Sequence, residues 1–362
     1  MSQQKSSATF QIQHTQFLNP SGEAIAGPLP SWAKDGEVLI PLYRNMVQTR
    51  TFDAKAINLQ RTGKLGTYAS PLGQEAIGVG VASAMIDEDV MLPTYREYSA
   101  QLWRGVTMTE LLLYWGGDER GSDFAVPRQD FPMCVPIATH TSHAVGVAYA
   151  MKLRKQKRIA VCFLGDGATS KGDFYESINA AGVWQLPILF VVANNQWAIS
   201  VPRSRQTAAQ TLAQKGIAAG IKCEQVDGND IIAVRHVAQQ AINDARGGGG
   251  PHLIEALTYR LSDHTTADDA SRYRDKQEVE AQWQYDPVPR LRNYLIGLEA
   301  WSDEQEQSLL AECSASVDAA VREYSDTAAV APQAMFDHLY EELPDVMAWQ
   351  RQLAAASGGA DE

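Results

Sequence analysis

Two polar segments, each closing an apolar run, hold the residue types best suited to gripping a charged ligand. The run Ile159–Leu164 ends in Gly165-Asp166-Gly167, and the run Pro187–Ala193 ends in Asn194-Asn195-Gln196-Trp197. If these runs are neighbouring parallel strands, Asp166 and Asn195 leave one edge of a sheet, where open α/β sheets bind ligands. A carboxylate, an amide oxygen and the Trp197 backbone carbonyl then present hard oxygen ligands to a divalent cation such as Mg2+, which commonly bridges protein to phosphate. The flanking glycines permit a tight turn and a close backbone approach. Asp166 alone is read equally well as a loop aspartate capping a helix that begins near Lys171. Neither GxGxxG opening the first helix nor GxxxxGK[ST] is present, so a dinucleotide fingerprint and a P-loop are both excluded.

Other side chains have two readings each. The Arg96 guanidinium is a rigid donor fork for phosphate oxygens, or a surface ion pair with Glu97. Of the seven histidines, His264 lies in a polar segment and is the catalytic candidate, with neutral and protonated forms both accessible near pH 7. His140 and His143 share a helix face, but a zinc site needs further ligands and none stands out. Capping, core hydrogen bonding or a subunit contact is expected of that pair.

The elements that must position these residues follow from apolar spacing. Helices are expected over Pro41–Thr62, Gly73–Ala84, Tyr98–Trp115, Thr141–Lys155, Gly172–Gly182, near Thr207–Ala218, and over Val234–Ala245. Strands are expected at Ile159–Leu164, Pro187–Ala193, Lys222–Val226 and His252–Thr258. Gly116–Pro136 reads as an ordered surface loop, and Leu261–Arg274 as a polar segment without periodicity. The alternation predicts an α/β fold with a mostly parallel sheet covered by helices. Four regions are expected: an N-terminal arm over 1–40, an α/β domain over 41–286, a helical C-terminal extension over 287–355, and a frayed tail over 356–362.

The 362 residues suffice for a substantial core. A net charge of -12 argues against a nucleic-acid binder relying on broad phosphate neutralisation. Cys134, Cys162, Cys223 and Cys313 are widely spaced, which fits free thiols in a reducing cytoplasm, with Cys162 and Cys223 buried. The N-terminus does not read as a secretory signal, and no run approaches the roughly 20 apolar residues that span a bilayer.

The chain also resembles a known family. GDG, then 26 residues from Ala168 through Ala193, then NN is similar to the thiamine diphosphate motif. GKLGTYASPLGQEA, LPTYRE, GDGATSKGDFYE, NNQWAIS, QVDGNDI, EALTYR and HTTADDASRYR extend the likeness over about Leu42 to Arg292. Together they resemble the alpha subunit of the decarboxylating 2-oxo acid dehydrogenase component, closest to bacterial pyruvate and branched-chain enzymes. The stretch QTLAQKGIAAGI resembles the pyruvate enzymes, whereas TADDASRYR also resembles branched-chain members.

The resemblance implies a thiamine diphosphate-binding fold with Mg2+ held by Asp166, Asn195 and the Trp197 backbone. Tyr95 and Arg96 match residues of the diphosphate pocket, and Gly165, Gly167 and Ala168 match backbone contacts. Ile137 matches a support for the bent cofactor, with core packing as the ordinary alternative. His264 matches the active-site histidine of YR-x-x-x-H-[ST], and Thr265 falls in the family's regulatory loop, where an unmodified ordered loop is the simpler expectation. Arg260, Arg272, Tyr273 and Arg274 are expected to organise that loop and meet the lipoyl partner. Ala193 departs from branched-chain members, which can place an arginine there, leaving more charge compensation to Tyr95-Arg96 and Mg2+.

The implied reaction is oxidative decarboxylation of pyruvate with reductive acetylation of a lipoyl group. The alternatives are branched-chain 2-oxo acids or acetoin. The implied partners are a separate beta subunit in an α2β2 heterotetramer and a lipoyl-bearing dihydrolipoyl acyltransferase core. The helices at Gly73–Ala84 and Thr141–Ala150 are candidate subunit interfaces, with burial inside the chain as the alternative. No nucleic-acid or membrane partner is expected.

Overall fold

The computed structural model describes residues 7–357. Six parallel strands form its central sheet: β1 (His14–Thr15), β2 (Val90–Leu92), β3 (Ala160–Gly165), β4 (Ile188–Asn194), β7 (Lys222–Asp227) and β8 (His252–Leu257), in the order β1-β7-β8-β4-β3-β2. A two-stranded antiparallel hairpin, β5 (Trp197–Ala198) and β6 (Val201–Pro202), stands apart from it. The helices in chain order are α1 (Gly36–Arg61), α2 (Glu75–Ala82), α3 (Tyr98–Trp103), α4 (Met108–Trp115), α5 (Thr139–Leu153), α6 (Gly172–Trp184) and α7 (Arg203–Gln206). They continue with α8 (Gln214–Ala218), α9 (Ile231–Arg246), α10 (Lys276–Gln282), α11 (Pro287–Gly297), α12 (Asp303–Asp326) and α13 (Asp345–Ser357).

The central strands are apolar on both faces because helices cover both. Along β3, Ala160, Cys162 and Leu164 pack with α5 and α6, while Val161 and Phe163 pack with α2 and α9. Full burial of side chains such as Val161, Phe163 and Leu164 contributes about 1.5–3 kcal/mol each, which anchors the middle of the sheet. Gly165 is the register partner of Ala193, and Ala193 of Ala256. Strands β3, β4 and β8 therefore end at one level, and the segments that follow leave the sheet side by side.

Several boundaries differ from the sequence expectations for local reasons. Helix α1 begins at Gly36, capped by the Asp35 side chain accepting from Glu37 N, and Pro41 sits inside it rather than opening it. The expected Tyr98–Trp115 helix is two helices. Gly105 takes a φ of +99°, and a capping box between Thr107 and Glu110 restarts the chain as α4. The helix expected near Thr207–Ala218 shrinks to α8, with the short α7 preceding it. Strand β2 is too short to show a period, and β1 is drawn from the arm by pairing with β7. Helices α11 and α12 pack against α1 in one apolar cluster with Leu39, Leu42 and Met46.

Every residue of α2 is buried within the chain, so that candidate interface is internal packing. Helix α5 instead turns one face outward. Leu153 is 66% exposed there, beside Val183 at 70% and Trp184 at 47% on α6. All four cysteines are free thiols; Cys162 is buried, whereas Cys223 is only half-buried, against expectation. Among the described residues no helix is long and apolar enough to cross a membrane.

Candidate active site

The carboxyl ends of β2, β3, β4 and β8 bring the predicted residues to one edge. Strand β2 leads through Pro93 and Thr94 to Tyr95 and Arg96, and β3 leads directly to Asp166. Strand β4 leads to Asn195, and β8 to Arg260 and then His264. The two asparagines divide their work. Asn194 serves the scaffold, its Nδ2 donating to buried Glu255 Oε1 at 2.6 Å. Asn195 turns the other way, its Nδ2 donating to Gln74 Oε1 at 3.1 Å and its Oδ1 accepting from Trp197 N at 3.2 Å. Gln74 is held by its own corner, where Gly73 O accepts from Thr258 Oγ1 and Asn229 Nδ2.

Asp166 opens a single 3-10 turn, Asp166–Ser170, and is 2% exposed. Burial raises its pKa, opposed by a hydrogen bond from Gln206 and by the charges of Arg260 and Arg203. A cation beside it would remove that penalty. The turn is braced from behind: Thr169 Oγ1 donates to Asp166 O at 2.7 Å, and the buried Lys215 ammonium donates to Thr169 O at 2.7 Å. Burial brings that lysine's pKa down to about 8. Gly165 has open space where a Cβ would stand, whereas a Cβ on Gly167 would meet Ala198 Cβ at 2.7 Å. The first glycine leaves room for a ligand, and the second lets the β5–β6 hairpin close on the turn. Ala168 is buried in that turn.

Arg96 is not the surface partner of Glu97. It is 8% exposed, donates through Nη1 to Ser70 O at 2.7 Å and through Nη2 to His264 Nδ1 at 2.9 Å and to His264 O. Glu97 instead accepts from Thr94 N and Thr94 Oγ1. Arginine has no acceptor, so Nδ1 of His264 accepts and the neutral ring carries its proton on Nε2. Burial, then Arg96 and Arg260, bring the His264 pKa down to about 4, with Asp268 opposing. The histidine is therefore neutral at pH 7 in this chain, which corrects the expectation of two accessible forms. The Tyr95 ring lies edge-on to His264 at 6.1 Å and under the Arg96 guanidinium.

The loop carrying His264 is ordered by charge. Arg274 donates to the Arg260 and Ser262 carbonyls, Tyr273 OH bonds Asp268, and Asp263 Oδ1 accepts from Ala270 N at 3.0 Å. Thr266 exchanges two hydrogen bonds with the Tyr68 backbone. Thr265 Oγ1 accepts from Ala267 N within this loop, and Arg272 is exposed. Arg260 is fully buried yet leaves Nε and Nη1 without partners, its Nη2 alone reaching Ile199 O and Tyr273 OH. A buried guanidinium with idle donors near Asp166 suits an anionic ligand. Hard oxygens, open space over Gly165 and idle cationic donors together fit a cation-bound diphosphate.

Ile137 is 46% exposed, so core packing is not its role; it precedes Ala138, whose φ is +66° at the start of α5. The His140–His143 pair makes no metal site. His140 Nε2 bonds Phe163 O while His143 faces outward, and among the described residues no His, Cys, Asp and Glu side chains cluster in threes to hold a metal. Sequence reasoning missed Gln206, an unremarkable amide in a non-periodic stretch. It quoted Gln74 and Lys215 within motifs without giving either a role.

A parallel α/β sheet whose strand ends gather one carboxylate, one amide and two guanidiniums suits a phosphorylated ligand. The family described as Dehydrogenase E1 component matches residues 43–333, and the chain belongs to it as a 2-oxo acid dehydrogenase alpha subunit. That family implies thiamine diphosphate as the cofactor. Over 344 residues the chain is 38% identical to "Pyruvate dehydrogenase E1 component subunit alpha" of Staphylococcus aureus, covering 94% of this chain and 92% of the relative. Over 356 residues it is 41% identical to "3-methyl-2-oxobutanoate dehydrogenase subunit alpha" of Mycobacterium tuberculosis, covering 97% and 96%.

Proposed function

We propose that the chain carries out oxidative decarboxylation of pyruvate together with a beta subunit, passing the acetyl group reductively to a lipoyl group on an acyltransferase core. The convergence of Asp166, Asn195, Arg96 and His264 at one sheet edge carries this reading. Thiamine diphosphate, when bound, supplies the carbon nucleophile and the electron sink that loss of carbon dioxide from a 2-oxo acid needs. Asp166, the Asn195 amide oxygen and the Trp197 carbonyl hold Mg2+. Tyr95, Arg96 and Arg260 line the diphosphate, and Gly165, Gly167 and Ala168 let the backbone approach it. Ile137 supports the cofactor from the start of α5. His264 offers an Nε2–H donor, and a nearby diphosphate would raise its proton affinity toward the range useful for moving a proton.

This chain offers the diphosphate half of such a site. The outward apolar side chains Tyr149, Leu153, Val183 and Trp184 on α5 and α6 support a beta subunit docking there in an α2β2 assembly. A branched-chain substrate is the second reading, favoured by the 41% identity to the mycobacterial relative. The two are separated by co-purifying the chain with its cognate beta subunit and comparing kcat/KM for pyruvate and 3-methyl-2-oxobutanoate. The assay contains Mg2+, thiamine diphosphate and an artificial electron acceptor. Preference for pyruvate supports the first reading; preference for the branched acid replaces the substrate and keeps the cofactor chemistry.

A further inference from the structure

The side chain that answers Asp166 is Gln206, the last residue of α7. Its Nε2 donates to Asp166 Oδ2 and to Val201 O at 3.1 Å, while its Oε1 is buried without a partner. Both amide hydrogens are used and the oxygen is idle. The carboxylate sets that orientation, because the reversed amide would press Oε1 against two acceptors. Ser170 Oγ donates to Gln206 O at 3.2 Å, which ties the backbone of α7 to the end of the Asp166 turn. The side chain can therefore leave Asp166 while the helix stays in place.

A divalent cation at Asp166 inverts the preference, since the Nε2 hydrogens would then face positive charge. We propose that Gln206 is an internal surrogate for the metal ion, satisfying Asp166 in the metal-free chain and giving way when the metal enters. This rests on the reading of Asp166 as a metal ligand. If the ion takes Oδ2, the oxygen that Gln206 occupies, the hydrogen bond competes with it, and removing that bond tightens metal binding. A tenfold lower dissociation constant is about 1.4 kcal/mol, close to the lower end of what a hydrogen bond to a charged group contributes.

The test uses the assembled alpha–beta protein, stripped with EDTA and saturated with thiamine diphosphate. Mn2+ is titrated in, and the free ion is read from its electron paramagnetic resonance signal. Gln206→Met removes the donor at constant length, and Gln206→Asn keeps an amide that falls one carbon short; either variant suffices if the other fails to assemble. Binding about tenfold tighter than wild type is expected in both. Unchanged or weaker binding by the variants, with normal binding by wild type, overturns the surrogate role alone. A wild type that binds no Mn2+ overturns both the surrogate and the metal site.

Discussion

Replacing Arg96 with methionine keeps the apolar stem and deletes the guanidinium, and the consequences are read at His264. Three acceptors lose their donor: Ser70 O, His264 O and His264 Nδ1. A buried acceptor left unpaired costs about 1–3 kcal/mol. Because His264 is half-buried and water can reach it, a loss of about 2–3 kcal/mol in unfolding free energy is expected. The titration of His264 should move as well. Its pKa of about 4 owes most to burial, which survives the substitution, and less to Arg96, which does not. A rise is therefore expected, short of a return to the free value.

The sign of the pH effect follows from that depression. The unfolded histidine takes up its proton first as pH falls, so the contribution of the neutral ring is fully present above about pH 6.5. It is lost as pH falls toward about 4, where the folded chain protonates. Arg96→Met should flatten stability against pH within this window. Histidine-selective 13C labelling, with His264→Asn to assign the resonance, reads the titration directly. Urea unfolding of the alpha–beta assembly at several pH values reads the stability. A His264 that still titrates near its wild-type value in the variant would refute the argument.

Three further outcomes are expected. Asp166→Ala should abolish productive Mg2+ and thiamine diphosphate binding while the assembly persists, since the turn is also braced through Thr169 and Lys215; calorimetric binding at wild-type affinity would contradict this. Gly167→Ala sets a Cβ at 2.7 Å from Ala198 Cβ and should cost about 1–3 kcal/mol, while moving the hairpin that carries the Trp197 carbonyl. Weakened cofactor binding, seen as altered quenching of tryptophan fluorescence, checks it. Glu75→Gln should destabilise the chain by about 1–3 kcal/mol in urea unfolding, because Arg50 loses a charge-assisted partner but keeps its two hydrogen bonds to Asp286.

The placement of the candidate site was legible in the sequence because it sits at the punctuation of strongly apolar strands. The runs ending at Leu164 and Ala193 read as a buried parallel pair, as β3 and β4 are, and residues just past such strands emerge at one edge. His252–Thr258 was legible for the same reason, whereas Lys222–Val226 is a mostly polar strand with only Cys223 and Val226 apolar. Strands β1 and β2 were not, because two or three residues carry no period and their extended form comes from pairing with β7 and β3. The split at Gly105 was signalled by glycine and the Thr107–Glu110 pair, yet the apolar spacing ran across it.

Other decisions belong to tertiary structure alone. Spacing cannot separate Arg96 paired with Glu97 from Arg96 turned to Ser70 and His264, because that depends on β2 and β8 lying three strands apart in one sheet. The neutral state of His264 follows from burial beside two guanidiniums contributed by different strands. Gln206 meets Asp166 from 40 positions further along the chain, where no local pattern points. Sequence sets which chemical groups are present and the periods that bury them. Desolvation and pairing between distant segments then determine each group's charge state and which hydrogen bonds remain for a ligand to make.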